Sequence, residues 1–450
     1  MPWEQWPDWT ALSGQLANLL WNNPVTLLAL LGTGIYLSVR LGFIQIWGFR
    51  AGLRLLLRRE QAAGDISGWQ ALNTTLSATV GTGNIAGVAT AISLGGPGAL
   101  FWMWLTAFAG MATKLAECTL ALHFRRVDAA GAVAGGPMYV LADGLGMRRA
   151  AAAFALFAMI ASLGIGNMVQ ANSIIDALRE LRPAGSVPNW PLALALTVGV
   201  GLTVIGGVRR IAAIASALVP FMCLFYLGAG LTVVLRHLDQ VPAVLWTVLQ
   251  HALNPQAAGA AAIGEAIRWG VARGLFSNEA GLGSSMAMAA ARFRQPFHGG
   301  LVAMLTPFID TLVICSITGF VILISGSLDG QDSERIGAAL TARAFTLEFG
   351  AIGGWIVAVG LTLFAFSTII AWSYYGDRCA LYLFGQRAVL PYRLLFVALV
   401  FVGSLVSLRL VWNIADITNL LMALPNLIAV ILLAGLVKKL RDQYLAAPQT

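Results

Sequence analysis

Apolar runs of about 20 residues recur along the whole of this 450-residue chain, each long enough to cross a bilayer as a helix. That repetition leaves few solutions. Hydrocarbon offers no water, so backbone amides and carbonyls must be satisfied inside the protein, by helices or by a closed barrel. Barrel strands are short and alternate in hydropathy, and these runs do neither. Only 11% of residues are charged and 58% are hydrophobic, far from the balance of a soluble domain. The expectation is an all-α integral membrane protein with no sizeable soluble domain.

Eleven segments are expected, at about Leu19–Leu41, Ala71–Leu94, Ala99–Phe124, Ala150–Leu178, Pro191–Gly207, Ile211–Leu235, Ala258–Ala291, Gly300–Ser325, Ile352–Tyr375, Leu394–Leu410 and Ile417–Val437. Cytoplasmic loops collect Lys and Arg. With the N-terminus outside and the C-terminus cytoplasmic, 19 basic residues fall inside and 6 outside. A missed or invented segment would scramble that alternation. The net charge of +8 therefore reflects orientation in a lipid bilayer, and no nucleic-acid partner is expected. Met1 to Leu16 holds no Lys or Arg and so lacks the basic start of a signal peptide. Trp3, Trp6 and Trp9 suit a membrane interface. Cys118, Cys223, Cys315 and Cys379 form no CxxC and read as packing residues.

Two segments are interrupted. The second carries Ser77-Ala-Thr-Val-Gly-Thr-Gly-Asn-Ile-Ala-Gly-Val88 and the seventh Gly274-Leu-Phe-Ser-Asn-Glu-Ala-Gly-Leu-Gly283. Each glycine costs a helix about 1 kcal/mol relative to alanine. Such glycines either make a close-packing face or mark a broken helix whose bare peptide groups hold a ligand. Their spacing favours the second reading. Each is the first of five segments, and because five is odd they start on opposite sides of the membrane. Paired breaks of this kind point to an inverted-repeat transporter with its site near the midplane. The expected organisation is a peripheral N-terminal transmembrane helix (1–45), a first five-helix repeat (65–236) and a second, inverted one (257–440).

At this point the chain resembles the alanine or glycine:cation symporter family (sodium:alanine symporters) of the amino acid–polyamine–organocation superfamily. The matching stretches are Gly81-Thr-Gly-Asn-Ile-Ala-Gly87, Gly95-Gly-Pro-Gly-Ala-Leu-Phe-Trp-Met-Trp104, Lys114-Leu-Ala-Glu117, Gly135-Gly-Pro-Met-Tyr139, Arg273-Gly-Leu-Phe-Ser-Asn-Glu-Ala-Gly-Leu-Gly-Ser284 and Thr306-Pro-Phe-Ile-Asp310. Val140 and Met286-Ala-Met288 are small departures from the expected pattern. The resemblance implies a leucine-transporter-type fold of five plus five helices. It implies sodium- or proton-coupled uptake of small neutral amino acids, in a bacterial-type inner (plasma) membrane.

A zwitterion needs donors for its carboxylate and acceptors for its ammonium. Half-helix N-termini supply bare amides and a positive dipole end, which assigns Gly81, Thr82, Gly83 and Asn84 to the carboxylate, with Thr79 just before them. Carbonyls near Phe276, Ser277 and Asn278 take the ammonium. Gln170, a buried amide in mid-segment, either bonds substrate, as the resemblance implies, or joins helices. Trp372 is a pocket wall or an interfacial tryptophan, and Phe276 a lid or a packing residue. The resemblance also implies a sodium site in which the carbonyls of Ser77 and Val80 meet the hydroxyls of Ser367 and Thr368. The alternative is that those hydroxyls bond back to their own helix.

Charges inside a membrane are functional suspects. Lys114 and Glu117 share a helix face and suit a structural pair or gate. Arg273 suits a gate or scaffold. Glu279 and Asp310 are candidates to bind the cation, carry a proton or fix Arg273. No catalytic residue and no cofactor beyond a coupling sodium ion are expected. The rivals are a proton-coupled or channel-like permease and an intramembrane hydrolase built on Ser285 and His298. The hydrolase lacks a third group to orient the histidine.

Overall fold

A computed structural model describes residues 9–21, 23–58, 62–127, 133–181, 188–254, 260–328, 337–406 and 409–447. Trp3, Trp6, Arg59, Arg182, Arg335 and the polar loop Asp329–Arg335 lie outside the described residues. Among the described residues the chain is helical throughout, apart from a small ribbon pairing Arg126–Val127 with Val133–Ala134.

Among the described residues seven helices are long and apolar enough to cross a membrane: Ala99–His123, Arg148–Arg179, Gly207–Arg236, Pro296–Ile324, Ala351–Phe384, Gln386–Leu405 and Val411–Leu432. They coincide with the third, fourth, sixth, eighth, ninth, tenth and eleventh expected segments. The first and fifth are shorter, 17 residues at Pro24–Arg40 and 15 at Trp190–Val204. The second and seventh are interrupted. Leu194, Val198, Leu202, Phe221 and Leu224 stand exposed on outer faces. Lys114, Glu117, Asp310 and Glu279 are buried. Apolar outside and polar within is the arrangement a bilayer demands.

The first interrupted helix opens on a capping box. Ser67 Oγ accepts from Gln70 N at 3.2 Å and Gln70 Oε1 accepts from Ser67 N at 3.0 Å. Helix Gly68–Thr79 then stops, Val80 is extended, and a π-helical turn at Gly83–Gly87 restarts the chain into Val88–Gly95. The second runs Ala260–Asn278, breaks, and resumes as Met286–Ala289. Its break holds three residues in the left-handed region, Glu279 (φ 54°), Gly281 (91°) and Gly283 (84°). Glycine adopts that conformation freely, whereas a glutamate there is strained.

The two interrupted helices are packed at the centre against Ala99–His123 and Ala351–Phe384. The start of one pairs with the end of the other. Ile66 and Ala291 form a parallel bridge, and Arg292 N donates to Ile66 O at 2.9 Å. One guanidinium clamps this junction: Arg125 donates to Ala291 O at 2.6 Å, Ala289 O at 3.2 Å and Ala63 O at 2.9 Å.

Two helices lie in stretches that read as connections. Val241–Leu253 and Ala338–Phe349, 13 and 12 residues, are too short to register as crossings. The second lies against Ala351–Phe384, and Thr341 Oγ1 donates to Ile85 O at 2.9 Å across the first break. The N-terminal helices flank the bundle. Helix Pro24–Arg40 rests on Ala99–His123, where a Cβ on Gly34 would meet Ala109 O at 2.8 Å.

Candidate functional site

Peptide groups freed by the two breaks meet in one place. At the first, Gly81 N donates to Asn84 Oδ1 at 2.9 Å and Thr82 N to Gln170 Oε1 at 3.3 Å. Gln170 Nε2 donates to Thr82 Oγ1 and Ile165 O, both at 3.1 Å. Gln170 therefore joins helices and at the same time faces the break. Gly81 has no room for a side chain, because a Cβ would sit 2.5 Å from Thr368 Oγ1. A Cβ on Gly83 would lie 3.2 Å from both the Phe276 ring and Ser277 Cα, so the two breaks touch there. At the second break the helix ends at Asn278, leaving carbonyls of its last turn without helical partners.

Between the breaks is a hollow of about 20 Å³, room for roughly one water. Its lining includes Thr79, Gly81, Thr82 and Gly83 from the first break and Phe276 and Glu279 from the second. Gln170, Thr368 and Trp372 complete it. Trp372 is buried and donates from Nε1 to Glu279 Oε1 at 2.9 Å, so it is a wall of this hollow and not an interfacial tryptophan. Phe276 divides it from a second hollow of about 90 Å³, lined in part by Trp21, Arg273 and Asp416. The Phe276 ring stacks on Trp412 at 6.0 Å, and the Arg273 guanidinium lies 5.5 Å from the centres of the Phe276 and Trp269 rings.

Beside the first break, Ser77 Oγ donates to Ser367 O at 2.7 Å. Ser367 Oγ lies 3.3 Å from Ser77 O, and Thr368 Oγ1 lies 3.3 Å from Val80 O. The same hydroxyls reach Phe364 O on their own helix at 2.8 and 3.1 Å. A hydroxyl has one proton and two lone pairs. With the proton on Phe364 O, the lone pairs of Ser367 and Thr368 join the carbonyls of Ser77 and Val80. Two pairs of uncharged oxygens then lie side by side on the two helices, the donor type a hard monovalent cation takes.

The buried charges brace the breaks. Asp310 lies in a π-helical stretch, Phe308–Cys315, and accepts from Asn84 Nδ2, Ser277 Oγ and Thr311 Oγ1, each at 2.7 Å. It thus ties the two breaks together. Lys114 and Glu117 lie 3.9 Å apart, yet their closest partners are elsewhere. Lys114 Nζ donates to Ser284 Oγ at 2.7 Å, and Glu117 Oε1 accepts from Asn426 Nδ2 at 2.5 Å and Gly283 N at 3.2 Å. Asn278 turns on itself, its Oδ1 accepting from Ala280 N at 3.0 Å. Ser285 Oγ has no hydrogen-bond partner among the described residues, and His298 packs against Tyr444, so no serine–histidine relay forms.

Sequence reasoning missed several residues here. Asn426 bridges Glu117 and Gly281 O, Asn419 lines the hollow, and Thr318 Oγ1 donates to Asn84 O at 2.8 Å. All three are polar residues within apolar runs. The signal is present, but none of the three falls in a glycine-broken segment or a stretch that carries the family resemblance.

Comparison with known proteins agrees. The chain is 47% identical over 422 residues to an uncharacterized transporter of Haemophilus influenzae, covering 92% of this chain and 91% of that one. It is 46% identical over 442 residues to the sodium/alanine symporter AgcS of Methanococcus maripaludis, covering 96% of each. Among solved structures it is similar to MhsT, crystallised with L-phenylalanine. The TM-score is 0.53 at 15% identity, over 84% of this chain and 90% of that one, which establishes a leucine-transporter-like fold. The family model described as the sodium:alanine symporter family matches residues 7–450. The chain is a multi-pass membrane transporter, not an enzyme, and belongs to the sodium:alanine symporter family.

Proposed function

We propose that this protein is a secondary active symporter coupling inward sodium flow to uptake of small neutral amino acids, alanine and glycine, by alternating access. The observation that carries the reading is the small hollow lined by both breaks. Amides at Gly81–Asn84 take the substrate carboxylate, with Thr79 and Gln170 at its side. Carbonyls at Phe276, Ser277 and Asn278 take the ammonium. The hollow as it stands holds about one water, so Trp372 and Phe276 must shift to admit even a short side chain. Sodium is held by Ser77 O, Val80 O, Ser367 Oγ and Thr368 Oγ1. Lys114, Glu117, Arg273 and Asp310 brace or gate these elements. The Methanococcus relative, a sodium/alanine symporter, supports the choice of solute and ion.

In this reading eleven helices span a bacterial-type plasma membrane, with the N-terminus outside and the C-terminus cytoplasmic. Residues 65–236 and 257–440 form the inverted repeats, and helix Pro24–Arg40 stands outside them. Cysteine labelling from each side of the membrane tests the orientation.

Purified protein in liposomes is expected to accumulate alanine or glycine only under an inward sodium gradient. Gly83→Leu, which drives a side chain into Phe276 and Ser277, abolishes uptake while the protein still elutes as a folded species in detergent. Accumulation driven by a proton gradient alone would replace sodium as the coupling ion. Equilibration without accumulation would make the protein a channel.

A further inference from the structure

Three carboxylates surround the breaks, and two are occupied. Asp310 accepts three hydrogen bonds; Glu117 Oε1 accepts from Asn426 and Gly283 N, and its Oε2, with no hydrogen-bond partner among the described residues, has the Lys114 ammonium at 3.9 Å. Glu279 differs. Its Oε1 accepts from Trp372, and Lys114 and Ser284 lie near its carboxylate, but its Oε2 is buried with no hydrogen bond of its own among the described residues. Glu279 is also the only charged residue among those described as lining the hollow. Its backbone is held at φ 54°, one of two non-glycine residues at positive φ among the described residues. Strain of that kind persists where the surroundings impose it and collects at ligand sites. Lys114 is occupied on the backbone side, donating to Ser284 and reaching Glu279 O at 3.5 Å.

A buried carboxylate oxygen with no partner is costly unless something pairs with it. The same hollow is lined from the first break by Gly81–Gly83, whose backbone suits the other end of a zwitterion. We propose that Glu279 is a specificity-determining substrate residue: its free Oε2 receives the substrate ammonium. This rests on the symporter reading and adds a charge to the carbonyls placed there. An α-amino acid carries its two charged groups on either side of one carbon. With the carboxylate on the first break, the ammonium faces the second. Trp372 fixes the carboxylate of Glu279 through the other oxygen, so Oε2 is oriented before substrate arrives. The site thereby rejects solutes that share the carboxylate but lack the cation, such as propionate and lactate.

The test uses purified full-length protein and its Glu279→Gln variant, which keeps an oxygen for Trp372 and removes the charge. Alanine binding is titrated at saturating sodium, and sodium binding is titrated without alanine through tryptophan fluorescence. Alanine affinity is expected to fall about 100-fold or more while sodium affinity holds. Unchanged alanine affinity, or loss of sodium binding in place of alanine binding, overturns the proposal. The second result would make Glu279 a cation ligand. If Glu279→Gln does not fold, Glu279→Asp decides, because it withdraws the charge by one carbon. A loss of about tenfold or more in alanine affinity alone supports the role, and wild-type affinity overturns it. Wild-type protein that accumulates no small amino acid would instead defeat the symporter reading itself.

Discussion

Ser367 shows how little separates a structural hydroxyl from an ion ligand. Its oxygen lies 2.8 Å from Phe364 O and 3.3 Å from Ser77 O, so its proton has a satisfied home on its own helix while its lone pairs stay available. The bond back to its own helix is present, and it leaves the lone pairs open for the proposed ion. Ser367→Ala removes one of four oxygens and little volume. The sodium concentration for half-maximal uptake is expected to rise roughly five- to tenfold, from about 1 kcal/mol, with maximal uptake largely kept. Unchanged sodium dependence would move the ion elsewhere. Gln170 makes the same point, since its amide spans Thr82 and Ile165.

At the scale of elements, the breaks are stabilised from outside as well as across the gap. Helix Ala338–Phe349 sends Thr341 to Ile85 O, a carbonyl in the π-helical turn of the first break. Thr341→Val keeps the shape and strands that carbonyl. A loss of about 1–3 kcal/mol is expected, read as a lower thermal midpoint in detergent and weaker alanine binding. Wild-type values in both would show that water replaces the bond. The interruptions were legible in sequence because glycine clusters are rare inside apolar runs. Helix Ala338–Phe349 was not, because 12 residues beside a polar loop carry no crossing signal. The π-helical turns at Gly164–Met168 and Phe308–Cys315 were equally invisible. They follow from fit: a Cβ on Gly166 would strike Trp372 at 2.4 Å, and Phe308–Cys315 turns Asp310 toward both breaks. Such adjustments depend on partners distant in the chain, and periodicity does not report them.

For the molecule as a whole, seven of the expected segments are helices long enough to cross a membrane among the described residues, yet the closure between them had no sequence signature. Ile66 and Ala291 meet across more than 200 positions, and nothing in either stretch announces its partner. Arg125 holds that junction through three carbonyls. Arg125→Ala is expected to raise hydrogen exchange at residues 63–66 and 289–292 by tenfold or more, corresponding to about 1.4 kcal/mol or more, while the rest of the bundle keeps its protection. Exchange unchanged there would mean the paired backbone suffices. Two closures beside the breaks are built by very different means. One is an aromatic ring, Phe276, which lines both the central hollow and the next one. The other is paired main chain with a guanidinium clamp. A side-chain swing takes nanoseconds, whereas displacing packed helices takes microseconds to milliseconds. On the proposed symporter reading the bolted end sets the turnover clock, and a solute that slips past the swinging door retreats many times before the far exit yields.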